Sequence, residues 1–96
     1  MEILFHKLAK NELIKSRDYY DDIILGLGEH FINEFEKSLD RIKENPNLYP
    51  KVLKDIRKCN LKIFPFSIYF DINTNNIRIL AISHQKRKPY YWKSRI

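Results

Sequence analysis

The chain has one cysteine, one methionine and two glycines in 96 residues, and each scarcity excludes something. A lone thiol, Cys59, cannot close an intramolecular disulfide, and nothing marks an oxidising compartment. So few glycines argue against a flexible, low-complexity chain. No window approaches the ~18 consecutive apolar residues of a transmembrane helix. The opening Met1-Glu2-Ile3-Leu4-Phe5-His6-Lys7 has neither the basic lead nor the apolar length of a signal peptide. The expectation is a cytoplasmic protein of one domain, residues 1–96, with enough chain for one modest core and no association with membranes.

Several chemistries are missing as well. The histidines His6, His30 and His84 stand far apart, without carboxylate or cysteine companions at ligand spacing, so neither a metal nor another cofactor is expected. Gly26-Leu27-Gly28 has no following Gly-Lys-Ser/Thr and no dinucleotide pattern, and no Gly-x-Ser-x-Gly elbow occurs. Cys59, alone in a strand-like stretch, reads as a small buried hydrophobe before it reads as a nucleophile.

Acidic residues are scarce in one half only. Residues 1–50 carry seven Lys/Arg against ten Asp/Glu, whereas residues 51–96 carry eleven Lys/Arg against Asp55 and Asp71 alone. The net charge of +6 therefore belongs to the second half, whose field favours an anionic partner, either a nucleic acid or an acidic protein.

The hydrophobic pattern gives an element order. Glu2–His6 alternates weakly and predicts a short strand. Ala9, Leu13, Tyr20, Ile24 and Leu27 recur near helical spacing, predicting a helix from about Lys7 to Leu25, with Gly26-Leu27-Gly28 reversing the chain. Phe31, Phe35, Leu39 and Ile42 form one stripe of a second helix, about Glu29–Glu44, which Asn45-Pro46 ends. Asp55–Phe64, Phe66–Ile72 and Ile77–Ser83 read as strands, with Pro65 as an interruption and Asn73–Asn76 as a hairpin turn. The predicted class is α+β: an N-terminal strand, a helical hairpin, then a three-strand antiparallel meander forming one small sheet.

The richest stretch is Ile79–Ile96. An apolar strand delivers the chain to a loop bearing His84, Lys86, Arg87 and Lys88, and Pro89 is followed by Tyr90, Tyr91 and Trp92. Cations interleaved with aromatic faces suit a polyanion-binding or protein-docking surface. Metal-free RNA cleavage needs a base, an acid and cations for the phosphate. His84, Arg87 and Tyr90 or Tyr91 supply those types as catalytic candidates, with Arg57, Lys62 and Lys86 as phosphate partners. A plainer reading stands beside this one: His84 satisfies a carbonyl, the aromatics cover a core edge, and the cations are solvated.

In combination these pieces resemble the RelE/ParE superfamily of bacterial type II toxins. The matching segments are Ala9–Leu13 with Tyr19-Tyr20, then Gly26-Leu27-Gly28 leading into Phe31, then Ile42-x-x-Asn45-Pro46 with Tyr49-Pro50. Ile56-Arg57, Phe64-Pro65-Phe66-Ser67-Ile68-Tyr69-Phe70 and Ala81-Ile82-x-His84-x-x-Arg87-x-Pro89-x-Tyr91-Trp92 complete the set. The resemblance implies a helical hairpin on a small antiparallel sheet. It further implies a growth inhibitor neutralised by a cognate antitoxin, through which alone operator DNA is bound. One branch of the superfamily cleaves messenger RNA on the ribosome, and the ParE-like branch poisons DNA gyrase. RNA-cleaving members often carry arginine where Ser67 stands here, and a further cation near Gln85. The pattern therefore favours the ParE-like branch, with Arg57, Lys62, Lys86, Arg87, Lys88, Tyr90 and Trp92 as target-binding candidates. A ribosome-dependent nuclease and an inactive antitoxin-binding module are the alternatives.

Overall fold

The computed structural model describes residues 1–96. The order is β1 (Glu2–Phe5), α1 (Lys7–Ile23), α2 (Leu27–Glu44), β2 (Lys51–Leu53), β3 (Ile56–Asn60), β4 (Phe66–Ile72) and β5 (Asn76–His84). Single 3-10 turns lie at Pro46–Leu48 and Lys93–Arg95. The two helices cover one face of a five-stranded sheet ordered β1-β5-β4-β3-β2. The class is α+β, as the sequence predicts. The hairpin of α1 and α2 carries the chain away from β1, which pairs parallel with β5, while the four later strands form an antiparallel meander.

The meander has one strand more than the sequence pattern suggests, because β2 at Lys51–Leu53 precedes the expected strand Asp55–Phe64, which itself spans only Ile56–Asn60. Lys54 adopts a left-handed φ of 50°, so Lys54-Asp55 forms a tight turn between two short strands, β2 and β3. At the other end, Leu61 and Phe64 are both buried in the same core. Strand side chains alternate faces, so residues three apart cannot both point inward from a regular strand, and Leu61–Pro65 is a loop. Glu34, buried on α2, anchors that loop by accepting the Lys62 N–H at 3.0 Å.

The helical reversal is also tighter than expected. Ile24 is extended at φ −144°, which ends α1 at Ile23, and Gly26 at φ 93° caps α2, which begins at Leu27. Ile24 is thereby 64% exposed and leaves the apolar stripe to which its spacing assigns it. The Asp21 carboxylate accepts the N–H groups of Gly26 (3.2 Å) and Gly28 (2.7 Å), so a side chain of α1 satisfies the open donors that begin α2. Gly28 packs against α1 so closely that a Cβ there would sit 2.4 Å from the Arg17 carbonyl oxygen.

Both faces of the sheet are covered. Phe31, Phe35 and Ile42 of α2 and Ala9 of α1 meet Cys59, Phe66, Ile68, Phe70, Ile77, Ile79 and Ile82. On the opposite face Ile56, Leu80 and Ala81 pack beneath Trp92. Opposite Tyr69-Phe70 of β4, β5 bulges, with Leu80 as the extra residue. This explains the nearly continuous apolar run Ile77–Ser83: Ile79 and Ile82 face the helices, while Leu80 and Ala81 face the other way.

Gly28→Ala should destabilise the fold by about 1–3 kcal/mol, because the atom it meets is backbone. Gly26→Ala has free space but a left-handed φ, and should cost about 1–2 kcal/mol. Urea denaturation of both variants checks this, and a neutral Gly28→Ala would refute the close approach of the helices.

Candidate functional site

β1 ends opposite Ile79, whose carbonyl accepts the His6 N–H at 2.9 Å. Beyond that point one edge of β5 has no neighbouring strand. Side chains replace it. Glu12, in the second turn of α1, accepts the Ile82 N–H at 3.1 Å on Oε1, and Arg95 donates to the Leu80 carbonyl at 3.2 Å. The same two residues pair with each other, Arg95 donating at 2.8 Å to Oε1 and 3.0 Å to Oε2 of Glu12. Their side chains are only 9% and 12% exposed. The bidentate geometry, with the Ile82 N–H on the carboxylate and the Leu80 carbonyl on the guanidinium, offsets the water that both charges have lost.

Two of the sequence candidates join this pair. The Tyr91 hydroxyl donates to Oε2 of Glu12 at 2.5 Å, and Arg87 reaches the same oxygen at 3.4 Å. The Arg87 guanidinium lies 3.7 Å from the Tyr91 ring centroid, and that of Arg95 lies 5.0 Å from it. Burial, and then the hydrogen bond to Glu12, push the Tyr91 phenol up to about 12. The hydrogen bond to Glu12 raises Arg95 further above the ordinary arginine value. At neutral pH Tyr91 is thus a neutral donor committed to a carboxylate and does not act as a base.

His84 ends β5. Its Nδ1 accepts the Lys86 N–H at 3.1 Å, which leaves the ring proton on Nε2, and its ring sits edge-on to Phe66 at 5.2 Å. Lys86, Lys88 and Tyr90 are exposed. Trp92 requires a correction as a target-binding candidate. It is 1% exposed, stacked 4.8 Å from Tyr69 and packed with Ile56, Leu80 and Ala81, because an indole in this segment covers the outer face of the sheet.

Arg57 and Lys62 lie outside the cluster. In the sheet Arg57 pairs opposite Phe70, at the far end of β4 from Phe66, which pairs with His84. Arg57 donates to the carbonyls of Asn47 (3.1 Å) and Tyr49 (2.6 Å), tying down the loop after α2. Lys62 belongs to the loop anchored by Glu34. Lys58 takes their place: with Tyr69, Gln85, Arg87, Pro89 and Tyr90 it lines a cavity of about 170 Å³ on the sheet face opposite the helices. Ser67 is buried and donates to Asn60 Oδ1 at 2.6 Å, so a short neutral side chain occupies the position where RNA-cleaving relatives often hold a cation. Cys59 is buried and its thiol is raised by that burial, in keeping with a packing role.

Sequence reasoning passed over Glu12, Arg95 and Lys58. Glu12 falls on the helical stripe of Ala9, Leu13 and Ser16, and a carboxylate in an inward-facing row is a sign that a cation must meet it. Lys58 follows Ile56 by two residues on a strand and so shares its face.

A second surface runs along α1. Lys15, Ser16, Tyr19, Tyr20, Ile23, Phe66 and His84 line a groove of about 400 Å³. No three His, Cys, Asp or Glu side chains gather as metal ligands, and no helix is long and apolar enough to cross a membrane.

The chain belongs to the ParE toxin family of type II toxin–antitoxin (parDE) systems, whose family model matches residues 3–89, and it is the toxin component of such a system. Among solved structures it resembles a protein described as the chromosomal ParDE TA system from P. aeruginosa. The TM-score is 0.77 and the identity 20%, over 88% of this chain and 95% of that one. No protein in the curated set matches by sequence.

Two outcomes follow from the cluster. Glu12→Ala strands the Arg95 guanidinium in a dry site and should cost about 3–5 kcal/mol, measured by thermal or urea unfolding; a loss near that of an exposed ion pair would count against it. Tyr91 should be the last tyrosine to ionise in an ultraviolet titration. Its raised pKa means that the native state holds the phenolic proton more tightly than the unfolded chain does. The stabilisation from Tyr91 is therefore complete below pH 10.0 and is lost as pH rises toward about 12. Burial raises Tyr20 and Tyr49 as well, so unfolding measured between those limits should show a decline of which the share of Tyr91, about 1.4 kcal/mol per pH unit, is removed by Tyr91→Phe.

Proposed function

We propose that the protein arrests growth by docking on DNA gyrase, in the manner of the ParE-like branch, and that a cognate antitoxin neutralises it. The observation that carries this reading is the commitment of Tyr91 to Glu12. Of the catalytic types required for RNA cleavage, Tyr91 is tied up as a donor to Oε2, and Ser67 stands where a positioned cation would be needed. What the cluster presents outward is recognition chemistry: Arg87, 52% exposed and stacked on Tyr91, with Lys86, Lys88 and Tyr90 around it. Arginine and tyrosine dominate the energetics of protein interfaces.

The antitoxin reading is supported by the groove along α1. Tyr19 (62% exposed) and Ile23 (55%) leave it apolar, while Lys15 gives it a positive side. An acidic, amphipathic segment that orders on binding suits such a surface. Operator DNA is reached through the antitoxin, the action is cytoplasmic, and residues 1–96 work as one domain.

A second reading rests on one observation. The cavity of Lys58, Tyr69, Gln85, Arg87 and Tyr90 combines cations with aromatic faces and would accept a stacked nucleotide. Purified toxin should inhibit gyrase supercoiling and leave transcripts intact by primer extension after induction. Arg87→Ala should raise the inhibitory concentration roughly 30-fold, as loss of a central arginine contact does. Normal supercoiling together with cut transcripts would reverse the assignment. Growth without defect when the toxin is expressed alone would mean an inactive binding module.

A further inference from the structure

After Asp71 the chain contains no acidic side chain, so an ion pair of the 85–96 segment must reach back to an earlier residue. The two that form, those of Arg87 and of Arg95, both end on the one carboxylate of Glu12. Its two oxygens do different things. Oε1 is fixed by the sheet, through the Ile82 N–H, and by one Arg95 nitrogen. With Oε1 fixed, Oε2 has a set direction, and on it converge the Tyr91 hydroxyl, the second Arg95 nitrogen and, at the longest distance, Arg87.

The contacts form a graded series. Arg95, 9% exposed, is bidentate and buried. Tyr91 is half-buried, held at its hydroxyl by Glu12 and on its ring by Arg87. Arg87 is 52% exposed, with one long bond to Glu12 and its guanidinium against the Tyr91 ring. The inner members are thus a mount, and the outer member is what a partner meets. Stacking on a fixed ring restricts a long arginine that would otherwise sample many rotamers, and so lowers the entropy lost when a partner binds.

We propose that Glu12, far from the target-facing segment in sequence, is the positioning residue for the Arg87–Tyr91 contact pair, setting the direction in which Arg87 is presented to the target. This deepens the docking function proposed above and rests on it. Glu12 touches no partner; it acts through Tyr91 and Arg95. The carboxylate is required as such, because the amide of glutamine can still accept the Ile82 N–H with its oxygen but turns an NH2 group toward donors that need an acceptor.

Glu12→Gln is therefore the informative variant, compared with Tyr91→Phe, with wild type and with Asp21→Asn, which weakens the distant helical turn. Three measurements are made on each purified protein: inhibition of gyrase supercoiling, the ultraviolet titration of the tyrosines, and the NMR order of the Arg87 Nε–H. In Glu12→Gln the last tyrosine ionisation should move back toward 10.0 from about 12, the Arg87 signal should lose order, and the inhibitory concentration should rise at least tenfold. Tyr91→Phe should fall between this variant and wild type, and Asp21→Asn should inhibit as wild type does once folded. Retention of full inhibition by Glu12→Gln, or an Arg87 as ordered as in wild type, overturns the proposal. So does an equal loss in Asp21→Asn, which would reduce the effect to stability. If wild type itself leaves gyrase untouched, the docking reading fails separately. The Arg87 order and the tyrosine titration still decide whether Glu12 mounts the pair, with growth arrest in cells as the activity measure.

Discussion

One buried carboxylate holds the functional end of this molecule together. The sheet runs out of strands beside the second half of β5, and the exposed edge would otherwise offer unpaired backbone groups to water or to another chain. Glu12 from the helix layer and Arg95 from the segment that crosses the outer face meet at that edge and bond to the backbone groups a strand would have taken. Edge closure and the placement of Tyr91 and Arg87 therefore share one electrostatic contact, while the buried Trp92 holds the same segment to the outer face. That contact is dry because α1 and the segment close over it.

Much of the architecture was legible because local chemistry and tertiary packing agree. Phe31, Phe35 and Ile42 make a stripe that could only be a buried helix face, and Phe66–Ile72 could hardly be other than a strand. The failures occur where tertiary contacts override local pattern. Lys54 in a left-handed conformation turns the chain just before the expected strand and sets a further strand, Lys51–Leu53, beside it, and Leu61 and Phe64 obtain their burial by leaving the sheet. Nothing in the spacing of Asp55–Phe64 announces either.

The site was legible by halves for a related reason. The basic and aromatic residues near His84 are contiguous, so composition reveals them, and Arg87 and Tyr91 do come together. Glu12 is remote in sequence and of the opposite charge, and a search for clustered cations does not look for it. Trp92 has the composition of a contact residue and the position of a core residue; which applies depends on the covering of the outer face, a property of the whole fold. Arg57 and Lys62 share only their charge with the cluster, and charge alone carries no address.

The separation of Glu12 from Arg95 along the chain has a consequence for biosynthesis. The two partners of the bidentate pair stand 83 positions apart, and β5, the strand they cover, is made after both helices. Contacts so distant in sequence form late and close in one step. A ribosome that has released both helices of this toxin has produced no mounted arginine, because the strand edge, the tyrosine and the second guanidinium are still to come. The Arg87–Tyr91 arrangement therefore comes into being only near completion of the chain. The groove along α1 is completed late as well, because Phe66 of β4 and His84 at the end of β5 line it together with the helix.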